Sequence, residues 1–265
     1  MKKGMIREAA AKLMLVPLFD SEQADEVLHG TEVTVLEEIG SDWLKVRTEY
    51  RYEGFLPVRD MSFRLFNERQ MVCHSFADVL AKPKVQAKRL KTLPMGSFVK
   101  VVSDEVMNTY VKVELADGIQ GYIKQAFLQK EERQVGWSNQ SEIRKNIIDT
   151  AFRYQGAQYR WGGKTPEGID CSGLCFMSYF LNGITIYRDA RIEQGFPVKP
   201  IERKNMKAAD LIYFPGHIAL CIGEQDFIHS SFSENGVSVN SLSPENPFYR
   251  KDLATSVLAI GSVFV

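Results

Sequence analysis

The sequence predicts two small all-β barrels followed by an α+β domain, and three observations predict it. First, the chain repeats itself. Gly30-Thr31-Glu32-Val33 resembles Gly96-Ser97-Phe98-Val99 at an offset of 66. Trp43-Leu44-Lys45-Val46 resembles Tyr110-Val111-Lys112-Val113, and Gly54-Phe55-Leu56 resembles Gly121-Tyr122-Ile123, both at 67. Second, both copies alternate apolar and polar residues between glycine turns, the pattern of short antiparallel strands. Third, the pattern changes after Lys130, where helical periodicity appears and a run of strands follows.

The repeats cover residues 11–65 and 77–130, which predicts domains at 1–68 and 69–132 and a third at 133–265. In the third, Ser141 to Tyr154 reads as a helix. Ile143, Ile147, Ile148, Ala151 and Phe152 share one face, and Gly156 can close it. A second helix runs from Cys171 to Asn182 and stops at Gly183. Strands are predicted at Leu211–Phe214, His217–Ile222, Asp226–His229 and Val237–Val239.

The totals exclude several classes. The chain has 265 residues, with 33 Lys plus Arg balanced by 33 Asp plus Glu, so no basic field attracts nucleic acid. No apolar run approaches the roughly 20 residues that span a bilayer. Met1-Lys2-Lys3 is a charged start, but Arg7, Glu8 and Lys12 interrupt the apolar core a signal peptide needs. The expectation is a cytoplasmic protein, monomeric, without nucleic-acid or membrane partners. Cys73, Cys171, Cys175 and Cys221 show no disulfide framework and read as free thiols.

One of the four is set for chemistry. Asp170-Cys171-Ser172-Gly173 places Cys171 at a helix start, where unpaired N–H groups and the dipole stabilise a thiolate and lower a thiol pKa. Asp170 can cap that helix, and Gly173 leaves room beside the sulfur. The preceding Tyr159-Arg160-Trp161-Gly162-Gly163 lets backbone approach a ligand, and the Cys171 N–H is available to an oxyanion. A thiol nucleophile needs a base. His217 and His229 each lie near a strand end, and adjacent strands can bring the rings together. His217 then takes the thiol proton and His229 orients it. His29 and His74 read as ordinary surface or turn residues, and Cys175 and Cys221 as small hydrophobes.

Zinc is the competing chemistry, since Cys171, Cys175, His217, Cys221 and His229 are all ligand types. The four steps from His217 to Cys221 span about 13 Å in a strand, too far for one ion. No Cys-x-x-Cys pair is present. No metal and no cofactor are expected.

These segments together resemble the NlpC-type family of papain-like cysteine peptidases. The resemblance rests on Tyr159-Arg160-Trp161-Gly162-Gly163, Gly168-Ile169-Asp170-Cys171-Ser172-Gly173-Leu174, Ala209-Asp210-Leu211-Ile212-Tyr213-Phe214, His217-Ile218-Ala219-Leu220-Cys221-Ile222-Gly223 and Phe227-Ile228-His229-Ser230, in order over residues 140–265. The repeats resemble bacterial SH3-like domains. The implied fold is an α+β papain-like catalytic domain preceded by two all-β SH3-like barrels. The implied triad is Cys171, His217 and His229. Ala208-Ala209 departs from the family's usual Pro-Gly.

The resemblance also implies cleavage of cell-wall peptides between γ-D-glutamate and a diamino acid. With two SH3-like modules it resembles the γ-D-glutamyl-L-diamino acid endopeptidases, which take short peptides with a free N-terminal L-alanine. It implies substrate contacts at Asp170, Ser172, Tyr159, Trp161, Glu22 and Tyr52, with Tyr50 as substitute for Tyr52, and a cleft border at Arg188 and Asp189. Two other readings stay open: a secreted autolysin anchored to intact wall by the SH3-like modules, and a non-catalytic sensor of wall peptides.

Overall fold

The structure, a computed structural model, describes residues 2–131 and 139–265. The predicted boundary at 132/133 lies outside the described residues. The chain divides into two compact units, Met1–Glu131 and Glu132–Val265.

The first unit holds two seven-stranded antiparallel sheets. One contains β1 (Lys3–Ile6), β2 (Ala10–Met14), β3 (Gln23–Leu28), β4 (Glu32–Ile39), β5 (Trp43–Thr48), β6 (Glu53–Pro57) and β7 (Met61–Ser62). The other contains β8 (Gln70–Val72), β9 (Phe76–Leu80), β10 (Arg89–Pro94), β11 (Phe98–Met107), β12 (Tyr110–Glu114), β13 (Gln120–Lys124) and β14 (Leu128–Lys130). Their spatial orders are β3-β2-β6-β5-β4-β1-β7 and β10-β9-β13-β12-β11-β8-β14. These are the same order strand for strand, so the repeat in sequence is a repeat in topology. Each sheet closes on its own aliphatic core. Leu13, Val27, Val33, Val46 and Leu56 fill the first, and Val79, Leu93, Val99, Val113 and Ile123 the second.

His29 corrects an expectation. It is fully buried, at a seam between the two sheets, rather than on a surface turn. Its Nδ1 donates to the carbonyls of Arg7 (2.9 Å) and Glu8 (3.2 Å), and its Nε2 accepts from the Ala116 N–H at 3.0 Å. Its carbonyl accepts from the Phe98 N–H at 2.8 Å. Burial holds its pKa down at about 4, so the ring is neutral and one face of it donates while the other accepts. Arg69 spans the same seam, with its guanidinium on Glu49 (2.6 Å) and Glu131 (2.8 Å) and stacked over Phe98. His74 is exposed, as expected.

The second unit contains helix α1 (Gln140–Phe152), hairpin β15 (Lys164–Thr165) and β16 (Gly168–Ile169), and helix α2 (Cys171–Phe180). It continues with β17 (Lys199–Ile201), β18 (Leu211–Phe214), β19 (His217–Cys221), β20 (Asp226–Ser231), β21 (Gly236–Ser241), the short α3 (Lys251–Ala254) and β22 (Ala259–Ser262). The last six strands form one sheet in the order β17-β22-β18-β19-β20-β21. Edge strand β17 and interior strand β22 carry no regular alternation and escape sequence reading.

Helix α1 begins where Asn139 Oδ1 caps the Glu142 N–H. Its buried face is Ile143, Ile147, Thr150 and Ala151. Ile148 and Phe152 are only half-buried, and Thr150 takes a place they were expected to fill. Helix α2 is buried on every side from Cys171 to Tyr179, and it carries no charged residue to hold one face in water. It packs against α1 and against β19 and β20. The helix start therefore sits over the two strands that carry His217 and His229.

Candidate active site

Asp170 organises the start of α2. Its Oδ1 accepts from the Gly173 N–H (2.5 Å) and the Ser172 hydroxyl (3.2 Å), and its Oδ2 from the Gly162 N–H (2.8 Å). The Arg188 guanidinium donates to both oxygens at 3.1 Å and is shielded from solvent, its side chain being 1% exposed. Arg188 also donates to Ser172 Oγ (2.7 Å) and the Gly163 carbonyl (3.4 Å). Arg188 was expected at the cleft border; instead it lies beneath the nucleophile loop, because a buried carboxylate needs a buried partner. Asp189 is half-buried and its side chain interacts with Tyr187.

Gly173 also differs from expectation. A Cβ there would lie 2.2 Å from the Gly163 carbonyl oxygen. The space it vacates is filled by the glycine-rich loop, which docks on the first turn of α2. Tyr159, at the start of that loop, lies within electrostatic reach of Cys171. Trp161 is 60% exposed, while Tyr159 is half-buried and packs edge-on to Phe232 at 6.1 Å. Burial, then the neighbouring Cys171 and Asp170, push the Tyr159 phenol up to about 12, so its hydroxyl remains a donor.

Cys171 is 7% exposed, and its sulfur accepts from the backbone N–H groups of Ile218 and Ser172. Ile218 follows His217 directly, so this contact ties the thiol to the first residues of β19. Burial, with the Asp170 carboxylate adding to it, pushes the thiol up to about 11. The helix start was expected to lower it. Desolvation of the thiolate outweighs the two N–H groups and Arg188, and the resting sulfur is a thiol.

The two imidazoles meet as the strand order requires. Phe214 pairs with His217 across β18 and β19, and Cys221 pairs with Phe227 across β19 and β20. His217 is four residues from Cys221 and His229 two from Phe227, so all share one face of the sheet. His217 Nε2 and His229 Nδ1 are 2.7 Å apart, and His229 Nε2 lies 2.8 Å from Asn240 Oδ1. Phe214 and Phe227 flank the rings at 5.8 Å and 5.1 Å between centroids. Burial, then His229, lowers His217 to about 4; burial likewise lowers His229 to about 4. Both rings are neutral near pH 7, so His217, next in the chain to the Ile218 N–H that touches the sulfur, is free to accept a proton.

Asn240 is the residue that sequence reading missed. It sits in a short strand between valine and serine, with no motif around it. Only the pairing of β20 with β21 reveals it, with Asn240 opposite Phe227 and one diagonal step from His229. Cys175, one turn further along α2, and Cys221 are buried as expected.

In the first unit, Glu22 is exposed. Tyr52 is half-buried against the first core and its backbone pairs with Thr48. Tyr50 is buried, with its hydroxyl donating to Asp25 Oδ2 at 2.5 Å.

Residues 156–256 match the NlpC/P60 family, and residues 13–61 match the bacterial dipeptidyl-peptidase SH3 domain. The chain is 43% identical over 263 residues to Dipeptidyl-peptidase 6 of Lysinibacillus sphaericus, spanning 96% of this chain and 97% of that protein. The chain belongs to the NlpC/P60 family. This NlpC/P60 peptidase is 28% identical over 256 residues to the gamma-D-glutamyl-L-lysine dipeptidyl-peptidase of Bacillus cereus strain ATCC 10987, covering 86% of this chain and 73% of that one. Its fold matches a crystal structure of an NlpC/P60 family protein from Bacillus cereus ATCC 10987 with a TM-score of 0.76 at 20% identity, over 97% and 98% of the two chains. The family is therefore a papain-like hydrolase of the kind the site residues predict, with an SH3 domain at its N-terminal side.

Proposed function

We propose that this peptidase cleaves the γ-D-glutamyl–diamino acid bond of short murein peptides with a free N-terminal L-alanine. The observation that carries the chemistry is the ordered set of a thiol at a helix start and two hydrogen-bonded neutral imidazoles, His217 and His229 at 2.7 Å. The names of the two relatives, a dipeptidyl-peptidase and a gamma-D-glutamyl-L-lysine dipeptidyl-peptidase, support the bond.

In this reading the Cys171 sulfur attacks the γ-carbonyl carbon while its proton passes to His217. The developing oxyanion accepts from the Cys171 N–H and the Tyr159 hydroxyl. His217 then gives its proton to the departing amine, leaving an L-alanyl-γ-D-glutamyl thioester. Water attacks the thioester as His217 takes one of its protons, and the dipeptide leaves.

Within the second unit, substrate capture is assigned to Asp170, Ser172 and Trp161; for the first unit, Glu22 and Tyr52 stay as the capture residues that the family resemblance implies. A carboxylate such as Glu22 suits the free ammonium of L-alanine. The shared strand order supports counting residues 70–130 as a second SH3-like module. Acting on short, already released peptides fits a role in recycling turned-over wall material, which we assign to a monomer in the cytoplasm.

The test is incubation with L-Ala-γ-D-Glu-meso-diaminopimelate and with the lysine form. Release of L-Ala-γ-D-Glu by wild type and none by Cys171→Ala is expected. Equal release by both would sink the thiol mechanism. Tight binding to purified sacculi with turbidity loss, and no turnover of the free peptide, would replace recycling by a wall-lytic role.

A further inference from the structure

We propose that Asn240 is a positioning residue: by accepting from His229 Nε2–H it fixes the tautomers of both imidazoles and leaves the bare Nδ1 of His217 as the proton acceptor for Cys171. The inference rests on the thiol mechanism above and deepens it.

The argument begins at the amide. Asn240 Nδ2 lies 3.4 Å from the Phe248 carbonyl, and the Ser238 hydroxyl donates to Oδ1 at 3.4 Å. The Phe248 carbonyl also accepts from the Ser241 N–H at 3.0 Å, so it is held in place by the end of β21 and can only accept. A flipped amide would set oxygen against that oxygen. The amide nitrogen must face Phe248, and Oδ1 must face His229.

The protons then follow one another. Oδ1 accepts, so His229 carries hydrogen on Nε2. A neutral imidazole has one N–H, so His229 Nδ1 is bare and accepts. Its 2.7 Å partner, His217 Nε2, must be the donor, and His217 Nδ1 is left without hydrogen. Reversing the first proton reverses all of them. A His229 with hydrogen on Nδ1 would donate to His217 Nε2 and place the His217 proton on Nδ1, where the base is needed. His229 is fully buried and Asn240 is 7% exposed, so bulk water is not at hand to substitute for the amide. Wrong-tautomer substitutions in a hydrolase triad are known to cost up to about 10⁴-fold in kcat. Asn240 stands one step further from the nucleophile, where losses of about 10- to 100-fold are expected.

The experiment compares wild type, Asn240→Leu and Asn240→Asp. Leucine removes the acceptor; aspartate is nearly isosteric and keeps it. Two readouts are taken. Turnover of L-Ala-γ-D-Glu-meso-diaminopimelate separates kcat from KM. Imidazole ¹⁵N NMR at pH 7.5 reads the protonated nitrogen of His217 and His229 without any substrate. Expected results are hydrogen on Nε2 of both rings in wild type and Asn240→Asp, and a mixture or reversal in Asn240→Leu. In that variant kcat falls about 10- to 100-fold with KM within twofold, and Asn240→Asp retains most of the activity. Wild-type tautomers in Asn240→Leu, or kcat within twofold of wild type, would overturn the inference. If wild type fails to cleave the peptide at all, the substrate reading has failed, and the NMR comparison still decides the role of Asn240.

Discussion

The guanidinium of Arg188 meets both carboxylate oxygens of Asp170 at 3.1 Å, directly behind the nucleophile. Asp170 also caps α2, so the position of the Cys171 helix start depends on a buried ion pair that no solvent screens. Removing one partner leaves the other charged and buried.

Arg188→Leu is therefore expected to destabilise the second unit by about 3–5 kcal/mol. Arg188→Lys also loses activity, because an ammonium cannot span both oxygens. Urea unfolding followed by tryptophan fluorescence measures the first, and peptide release the second. A Leu variant as stable as wild type would show that Asp170 is satisfied by its N–H donors alone.

The resting state of the nucleophile is a thiol beside a neutral imidazole, with Cys171 raised to about 11 and His217 lowered to about 4. Between these values neither group changes charge by itself. Alkylation of Cys171 by iodoacetamide is expected to rise with pH across the range 7 to 10, since thiolate is the reactive form. A rate already flat from pH 5 upward would mean a preformed thiolate–imidazolium pair.

His29 links pH to the stability of the first unit. Its folded pKa is near 4 and its ordinary value 6.5. Below 6.5 the unfolded chain takes up a proton that the folded chain refuses. The stabilisation is complete above 6.5 and is lost as pH falls toward 4, by about 3 kcal/mol at 1.36 kcal/mol per unit. Urea midpoints between pH 7.5 and 4 measure this. His29→Gln should flatten the dependence for the first unit; an unchanged slope would assign the acid loss to other groups, such as the His217–His229 pair.

Ala209 adopts φ +63°, the left-handed region that costs a residue with a Cβ about 1–2 kcal/mol. It is fully buried between the Cys221 carbonyl, which accepts from its N–H at 2.8 Å, and the Tyr179 hydroxyl, which donates to its carbonyl. Ala209→Gly relieves that strain while adding freedom to the unfolded chain. The expected net gain is about 0.5–1 kcal/mol, read as a higher urea midpoint without change in activity. A lower midpoint would show that the buried methyl contributes more than the strain costs.

Local chemistry was legible in the sequence. The offset between Gly30 and Gly96, the apolar runs of β18 and β19, and Asp170-Cys171 at a helix start depend on residues close together in the chain. Propensity, capping and period act over such distances, and they marked the repeated β segments, α1, α2, the thiol and both histidines. What required the tertiary structure was everything set by burial and by pairing across strands. The thiol of Cys171 rises rather than falls because it is buried where α2 meets β19. Arg188 turns inward because Asp170 is buried. His29 is a seam residue because a second sheet packs on the first, and Asn240 joins the histidines only through the register of β20 with β21. Neighbours in the chain determine which groups are available for chemistry; neighbours in space, by removing water and adding partners, decide their charge.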